Sequence, residues 1–283
     1  MSPDPVRLPA VAGRFYPRDA GTLARNLDAY LAPGQTQTAQ EAIACVVPHA
    51  GYMYSGRVAG AVYRKLPQRS DVVIIGPNHF GVGEPLALMR GGAWRTPLGD
   101  AAIESGLAAV IQKNCPMLAE DSRAHSGEHS LEVQIPFLQR RMREFGFVPI
   151  AIGAAEFEAL TDLGHGIARS LSESARPSVI IASSDMNHYE ADNLTRVKDA
   201  RAIEAILALD PSRLWDVVRE ESISMCGVGP VVVMLTAARD LGAVDATLEM
   251  YATSADEGAG RESVVGYAGI VVRQSKMPGA GGP

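Results

Sequence analysis

The chain is poor in cysteine. Cys45, Cys115 and Cys226 are three in 283 residues, widely separated and without a C-x-x-C pair. Odd number and wide spacing argue against a disulfide framework and against a thiolate-built structural zinc site, so all three are read as reduced thiols. Long apolar runs are also missing, since no stretch approaches the ~18 residues a membrane helix requires. The start, Met1-Ser2-Pro3-Asp4-Pro5, has neither the basic residues nor the apolar segment of a secretory signal. A cytoplasmic address and no membrane partner are expected. Positive charge is not in excess: the formal net charge is −6, and Lys and Arg are scattered. No phosphate-binding face is expected, and a small molecule or a protein is the expected partner, not nucleic acid. Repeats, low-complexity linkers and charge runs are absent too, which predicts a single domain over residues 1–275. The Gly- and Pro-rich stretch 276–283 is expected to be a disordered tail.

What the chain does contain is a repeated arrangement. Ala42 to Val47 is a short apolar run leading into Pro48-His49-Ala50-Gly51-Tyr52, and Asp71 to Ile75 leads into Gly76-Pro77-Asn78-His79. A third run, Ser178 to Ala182, leads into Ser183-Ser184-Asp185-Met186-Asn187-His188-Tyr189. Runs of this length read as strands buried on both faces, alternating with helical patterns at 156–174, 190–209, 211–220 and 229–241. Helices are also expected from Asp19, as a cap, to Leu31, from Ser55, as a cap, to Lys65, and at 100–113 and 130–143. Further strands are expected at 147–152, 246–253 and 263–272. Pro85 to Arg90 and Ala93 to Thr96, flanking Gly91-Gly92, read as a hairpin. The expected fold is α/β, with a mixed, largely parallel central sheet flanked by helices in three layers. Val6 to Pro17, apolar yet broken by proline, reads as an extended arm over the body.

In an open parallel sheet, ligands bind outside the carboxyl ends of the strands. His49, His79 and His188 all fall there, with Asp185 three residues before His188. Rigid strand ends deliver metal ligands or acid/base groups better than loops do. A hydrogen-bonded turn residue is the alternative for each histidine taken alone. Asp185 and His188 are the candidate catalytic pair, with the imidazole transferring protons and the carboxylate orienting it, although Asp185 could instead cap a following helix. Cys226 sits in a glycine-rich turn that opens a helix, a location that lowers thiol pKa and favours a nucleophile or soft metal ligand; a buried inert thiol is the alternative. Glu128 and His129 could line the pocket behind the ligands, or lie on a surface loop. Gly127 argues against the H-E-x-x-H geometry of a zincin. His165, in a polar helix, is read as structural.

Several ordered motifs together resemble the Memo family, in bacteria and archaea called AmmeMemoRadiSam system protein B. They are Ala12-Gly13-Arg14-Phe15-Tyr16-Pro17, Pro48-His49-Ala50-Gly51-Tyr52-Met53-Tyr54-Ser55-Gly56, Gly76-Pro77-Asn78-His79, Glu128-His129-Ser130-Leu131-Glu132, Ser184-Asp185-Met186-Asn187-His188-Tyr189 and Cys226-Gly227. The resemblance covers nearly the whole chain and implies a fold similar to class III extradiol dioxygenases of the LigB type. It implies His49, His79 and Cys226 as metal ligands, with Asp185 and His188 as further pocket residues and Tyr54, His129 and Glu128 behind them. Where the dioxygenases carry a carboxylate as third ligand, this chain offers Cys226, a softer donor suited to iron(II), copper or zinc. The implied activity is that of a dioxygenase-like oxidoreductase using non-haem iron first, or copper or zinc, on an unspecified small-molecule or peptide ligand. Two alternatives stand beside it, a metal- or peptide-binding module without turnover and a zinc hydrolase. A functional link to radical SAM and Ammecr-type proteins is implied as well.

Overall fold

A computed structural model describes residues 5–32, 41–174 and 176–275. The expected tail at 276–283 lies outside the described residues. In chain order the elements are β1 (Val6–Arg7), α1 (Ala20–Leu31), β2 (Ala42–Val47), α2 (Tyr52–Tyr63), β3 (Asp71–Pro77), β4 (Leu86–Leu88), β5 (Ala93–Thr96) and β6 (Gly99–Ala102). They continue with α3 (Ser105–Asn114), β7 (Ala119–Glu120), α4 (Arg123–Ser126), α5 (Ile135–Arg141), β8 (Gly146–Ile152), α6 (Phe157–Glu173), β9 (Ser178–Ser183) and β10 (His188–Glu190). The C-terminal part is α7 (Asp192–Leu207), α8 (Pro211–Glu220), α9 (Val228–Asp240), β11 (Ala243–Thr253) and β12 (Val264–Gln274).

Among the described residues the main sheet is mixed and nine-stranded, ordered β10-β12-β2-β9-β3-β8-β4-β7, with β11 paired to β12. At its centre β2, β9, β3 and β8 run parallel. These strands are apolar at successive positions because both of their faces are covered. On β3 and β9, Val73, Ile75, Ile180 and Ala182 pack towards α3 and α6–α9. Val72, Ile74, Val179 and Ile181 pack on the opposite face towards α1, α2 and α5. Each of these Val and Ile side chains stabilises the fold by ~1.5–3 kcal/mol on full burial, so the period-two alternation between two helical layers is strongly specified. The expected mixed α/β layered architecture is what the chain adopts.

Several local expectations are corrected. Ala93–Thr96 does not pair with the segment before Gly91; it forms a hairpin with Gly99–Ala102 in a separate three-stranded sheet completed by β1. Asp100, expected in a helix, pairs across that hairpin with Arg95 at 2.8 Å, and α3 starts only after the Glu104 carboxylate accepts from the Gly106 N–H. The expected helix at 130–143 is shortened to α5, because Ser130, Glu132 and Gln134 commit their side chains to bonds far away in sequence. Ser55 does not cap α2. That helix begins at Tyr52, whose N–H donates to the Phe15 carbonyl of the arm at 2.8 Å, satisfying one of the orphan donors of the helix start. Asp19 does cap α1, accepting from Thr22 N–H at 2.8 Å. Helices α1 and α2 cross closely where α2 carries Gly56 and Gly60: a Cβ at Gly60 would fall inside the Tyr30 carbonyl.

Candidate metal centre

Strands β2 and β3 flank β9, and all three end at the same edge of the sheet. His49 follows β2, His79 follows β3, and Asp185 with His188 follows β9. Because only one strand separates β2 from β3, two imidazoles leaning over the end of β9 can meet. Their ring centroids lie 5.2 Å apart. The segment after α4 folds back over the end of β3 and adds His129, with ring centroids 4.5 Å from His79 and 5.6 Å from His49. Ligand atoms of His49, His79 and His129 all lie within 4.8 Å of one another. Nitrogens sharing one ion at ~2.0–2.1 Å stand at most ~4.2 Å apart, so small ring movements suffice. The cavity above them, about 530 Å³, is also lined by Phe15, Asp185, His188, Tyr189, Ser224 and Cys226.

The hydrogen bonds fix which nitrogen faces the cavity. The Ser183 hydroxyl donates to the Ser130 carbonyl at 2.7 Å and accepts from Gln134 Nε2 at 2.8 Å. Its single proton being used, His49 Nδ1, 2.9 Å away, must be the donor to Ser183 Oγ. His79 Nδ1 donates to the Glu128 carboxylate at 3.0 Å, and His188 Nδ1 to the Ser224 carbonyl at 2.8 Å. In each ring Nδ1 is thus occupied and Nε2 is the nitrogen left for the cavity, the atom that binds metal in a neutral ring. Burial, reinforced by the charges of His129 and His79, holds His49 well below the usual imidazole pKa, and burial likewise lowers His129. Imidazole nitrogens clustered this way match the donor set of a transition-metal site.

Glu128 is fully buried. Burial alone would raise its pKa, yet the hydrogen bond and charge of His79, the Ser130 N–H and the charge of His129 hold it at about 2. Its oxygens also accept the His79 backbone N–H at 2.7 Å, and His129 Nδ1 lies 3.4 Å away. One carboxylate thus orients the His79 ring and sets its charge beside His129. Asp185 accepts the His49 backbone N–H at 2.7 Å, and its pKa is raised by burial. It does not cap a helix, since α7 starts seven residues later, and the Nδ1 partner of His188 is Ser224 instead.

Cys226 Sγ lies 3.2 Å from His49 Nε2 and 3.7 Å from the Asp185 carbonyl. Its thiol pKa is pushed up by burial and by the Asp185 charge, the opposite direction from the lowering expected of a thiol at a helix start. Tyr54 is 38% exposed on α2 and is not among the residues lining this cavity. His165 pairs with Asp240 at 2.6 Å on the surface. Cys45 and Cys115 are fully buried.

Three residues escaped sequence reasoning: Ser183, Ser224 and Asn187. Asn187 Oδ1 accepts from both the N–H and the hydroxyl of Ser224 at 3.0 Å, and that hydroxyl accepts the His188 N–H at 2.7 Å. The turn after β9 is thereby tied to the turn carrying Cys226. Ordinary Ser and Asn codes in turns gave no signal for this; only the juxtaposition of the two turns does.

Comparison with known proteins agrees with the motifs. Residues 7–271 match the Memo-like protein family. The chain belongs to that family. A MEMO1 family protein of Pyrobaculum aerophilum is 42% identical over 276 residues, covering 94% of this chain and 98% of the relative. One from Methanosarcina mazei is 42% identical over 268 residues, covering 94% and 99%, and one from Methanopyrus kandleri is 40% identical over 280, covering 95% and 99%. The match spans β1 to β12, so every residue of this Memo-like centre lies inside it. Among the described residues no helix is long and apolar enough to cross a membrane.

Proposed function

We propose that this Memo-like protein is a metal-dependent redox enzyme, with iron as the first choice of ion and copper as the alternative, acting on a small organic or peptide ligand held in the cleft. The observation that carries this reading is the convergence of His49, His79 and His129, with Nδ1 of His49 and His79 engaged by protein acceptors. His49 and His79 would hold the ion, with His129 or Cys226 completing the set. When bound, such an ion supplies electron transfer and polarises an oxygen of the ligand. His188 presents Nε2 at the cavity wall, where it takes a proton from a ligand hydroxyl or returns it, while the Ser224 carbonyl keeps the other nitrogen protonated. Asp185 anchors the backbone of His49, and Phe15, Tyr189 and Val265 supply apolar contact to the body of the ligand.

Native anaerobic purification followed by whole-protein metal analysis and EPR tests this. About one redox-active ion per chain is expected, and His49→Ala should remove most of it. A wild-type protein that neither carries nor takes up iron, copper or zinc refutes the proposal. Zinc as resident ion, with activity on esters or amides, would replace the redox reading by hydrolysis.

A further inference from the structure

The N-terminal arm ends in the metal cleft, and one arginine links the two. Arg7 lies on β1, whose pairing with β5 roots it in the small sheet. Its guanidinium is almost fully buried and every face of it is used. Nε donates to the His125 carbonyl at 2.7 Å, one terminal nitrogen to the Glu128 carbonyl at 2.7 Å, and the other to the Glu132 carboxylate at 2.6 Å. Its flat face stacks 4.1 Å from the centre of the Trp94 ring. Glu132, 1% exposed, closes the far end of the same loop and also accepts from the Ala10 and Val11 N–H groups at 2.8 and 3.0 Å and from the Tyr16 hydroxyl at 2.7 Å. Between His125 and Glu132 lie Glu128, which orients His79, and His129 itself. The arm returns to the cleft through Phe15, whose ring stands 4.8 Å from that of His129.

We infer that Arg7 is a positioning residue for the metal centre, acting through the backbone of the 125–132 loop to hold Glu128 and His129 over the end of β3. This rests on the metal-binding reading above. A planar fork reaching two carbonyls and a carboxylate at once is a geometry that lysine cannot reproduce. Arg7→Lys keeps a cation beside Glu132 but gives up the fork on the two loop carbonyls, which separates placement of the loop from pairing of charge.

Cobalt(II) titration of the full chain, followed by visible absorption, reads both affinity and ligand field. Wild type is expected to bind about one cobalt(II). Arg7→Lys should bind it ~10–100-fold more weakly, the range typical for loss of groups that orient metal ligands, with altered d–d bands. Gly60→Ala, a strained packing variant at the α1–α2 crossing away from the cleft, should keep wild-type affinity and bands. If wild type binds no cobalt(II), iron or zinc, the metal reading itself fails. If wild type binds and Arg7→Lys is identical to it, or if Gly60→Ala loses affinity as much as Arg7→Lys does, the role assigned to Arg7 is overturned. Should Arg7→Lys not fold, the neutral pair Arg7→Met with Glu132→Gln takes its place under the same criteria.

Discussion

Asp199 lies on α7, buried, with its carboxylate accepting the Asn187 N–H at 2.9 Å and the Tyr251 hydroxyl at 2.7 Å. Burial dominates over these bonds and raises its pKa from 3.8 to about 6. A folded-state pKa above the unfolded one means that the folded chain binds the proton more tightly between pH 3.8 and about 6, so stability falls as pH rises through that window and the full cost is present above it. At 1.36 kcal/mol per pH unit the cost at neutral pH is about 3 kcal/mol. Asp199→Asn cannot ionise. Its amide oxygen still accepts the Asn187 N–H, and its NH2 faces the Tyr251 hydroxyl, which rotates to accept. Allowing for that less favourable bond, the variant should be ~1–3 kcal/mol more stable at pH 7.5, with an advantage that falls by about 3 kcal/mol towards pH 4, to zero or below. Urea unfolding of both proteins at half-unit steps from pH 4.5 to 7.5 measures the difference, in which carboxylates common to both proteins cancel. A difference that stays constant, or grows as pH falls, refutes the burial argument.

Glu128→Gln should leave the fold intact but weaken metal binding by ~10–100-fold in a competition titration with a chelator, because the amide loses the charge that orients His79; unchanged affinity would remove Glu128 from the site. Gly60→Ala should destabilise the chain by up to ~2 kcal/mol in thermal unfolding, since overpacking against the Tyr30 carbonyl costs ~1–3 kcal/mol against the ~1 kcal/mol gained in helix propensity. A more stable variant would mean that α1 moves away freely.

Much of this molecule was decided locally. The short apolar runs within 42–47, 71–75 and 178–182 read as strands covered on both faces, which places the polar groups that follow them at the ligand-binding edge of a parallel sheet. Hence His49, His79, Asp185 and His188 were legible as one cluster before any coordinate. Local codes failed where side chains are committed to distant partners. Ser130, Glu132 and Gln134 broke a helical pattern by bonding β3, the arm and the turn after β2, and Ala93–Thr96 paired with Gly99–Ala102 instead of the segment before Gly91. The place of His129 among the clustered rings, the tautomers set by Ser183, Glu128 and Ser224, and the Arg7 fork were decided by tertiary structure alone. Each depends on segments about 40 to 130 residues apart being brought within hydrogen-bond reach, and periodicity along the chain carries no information about that distance.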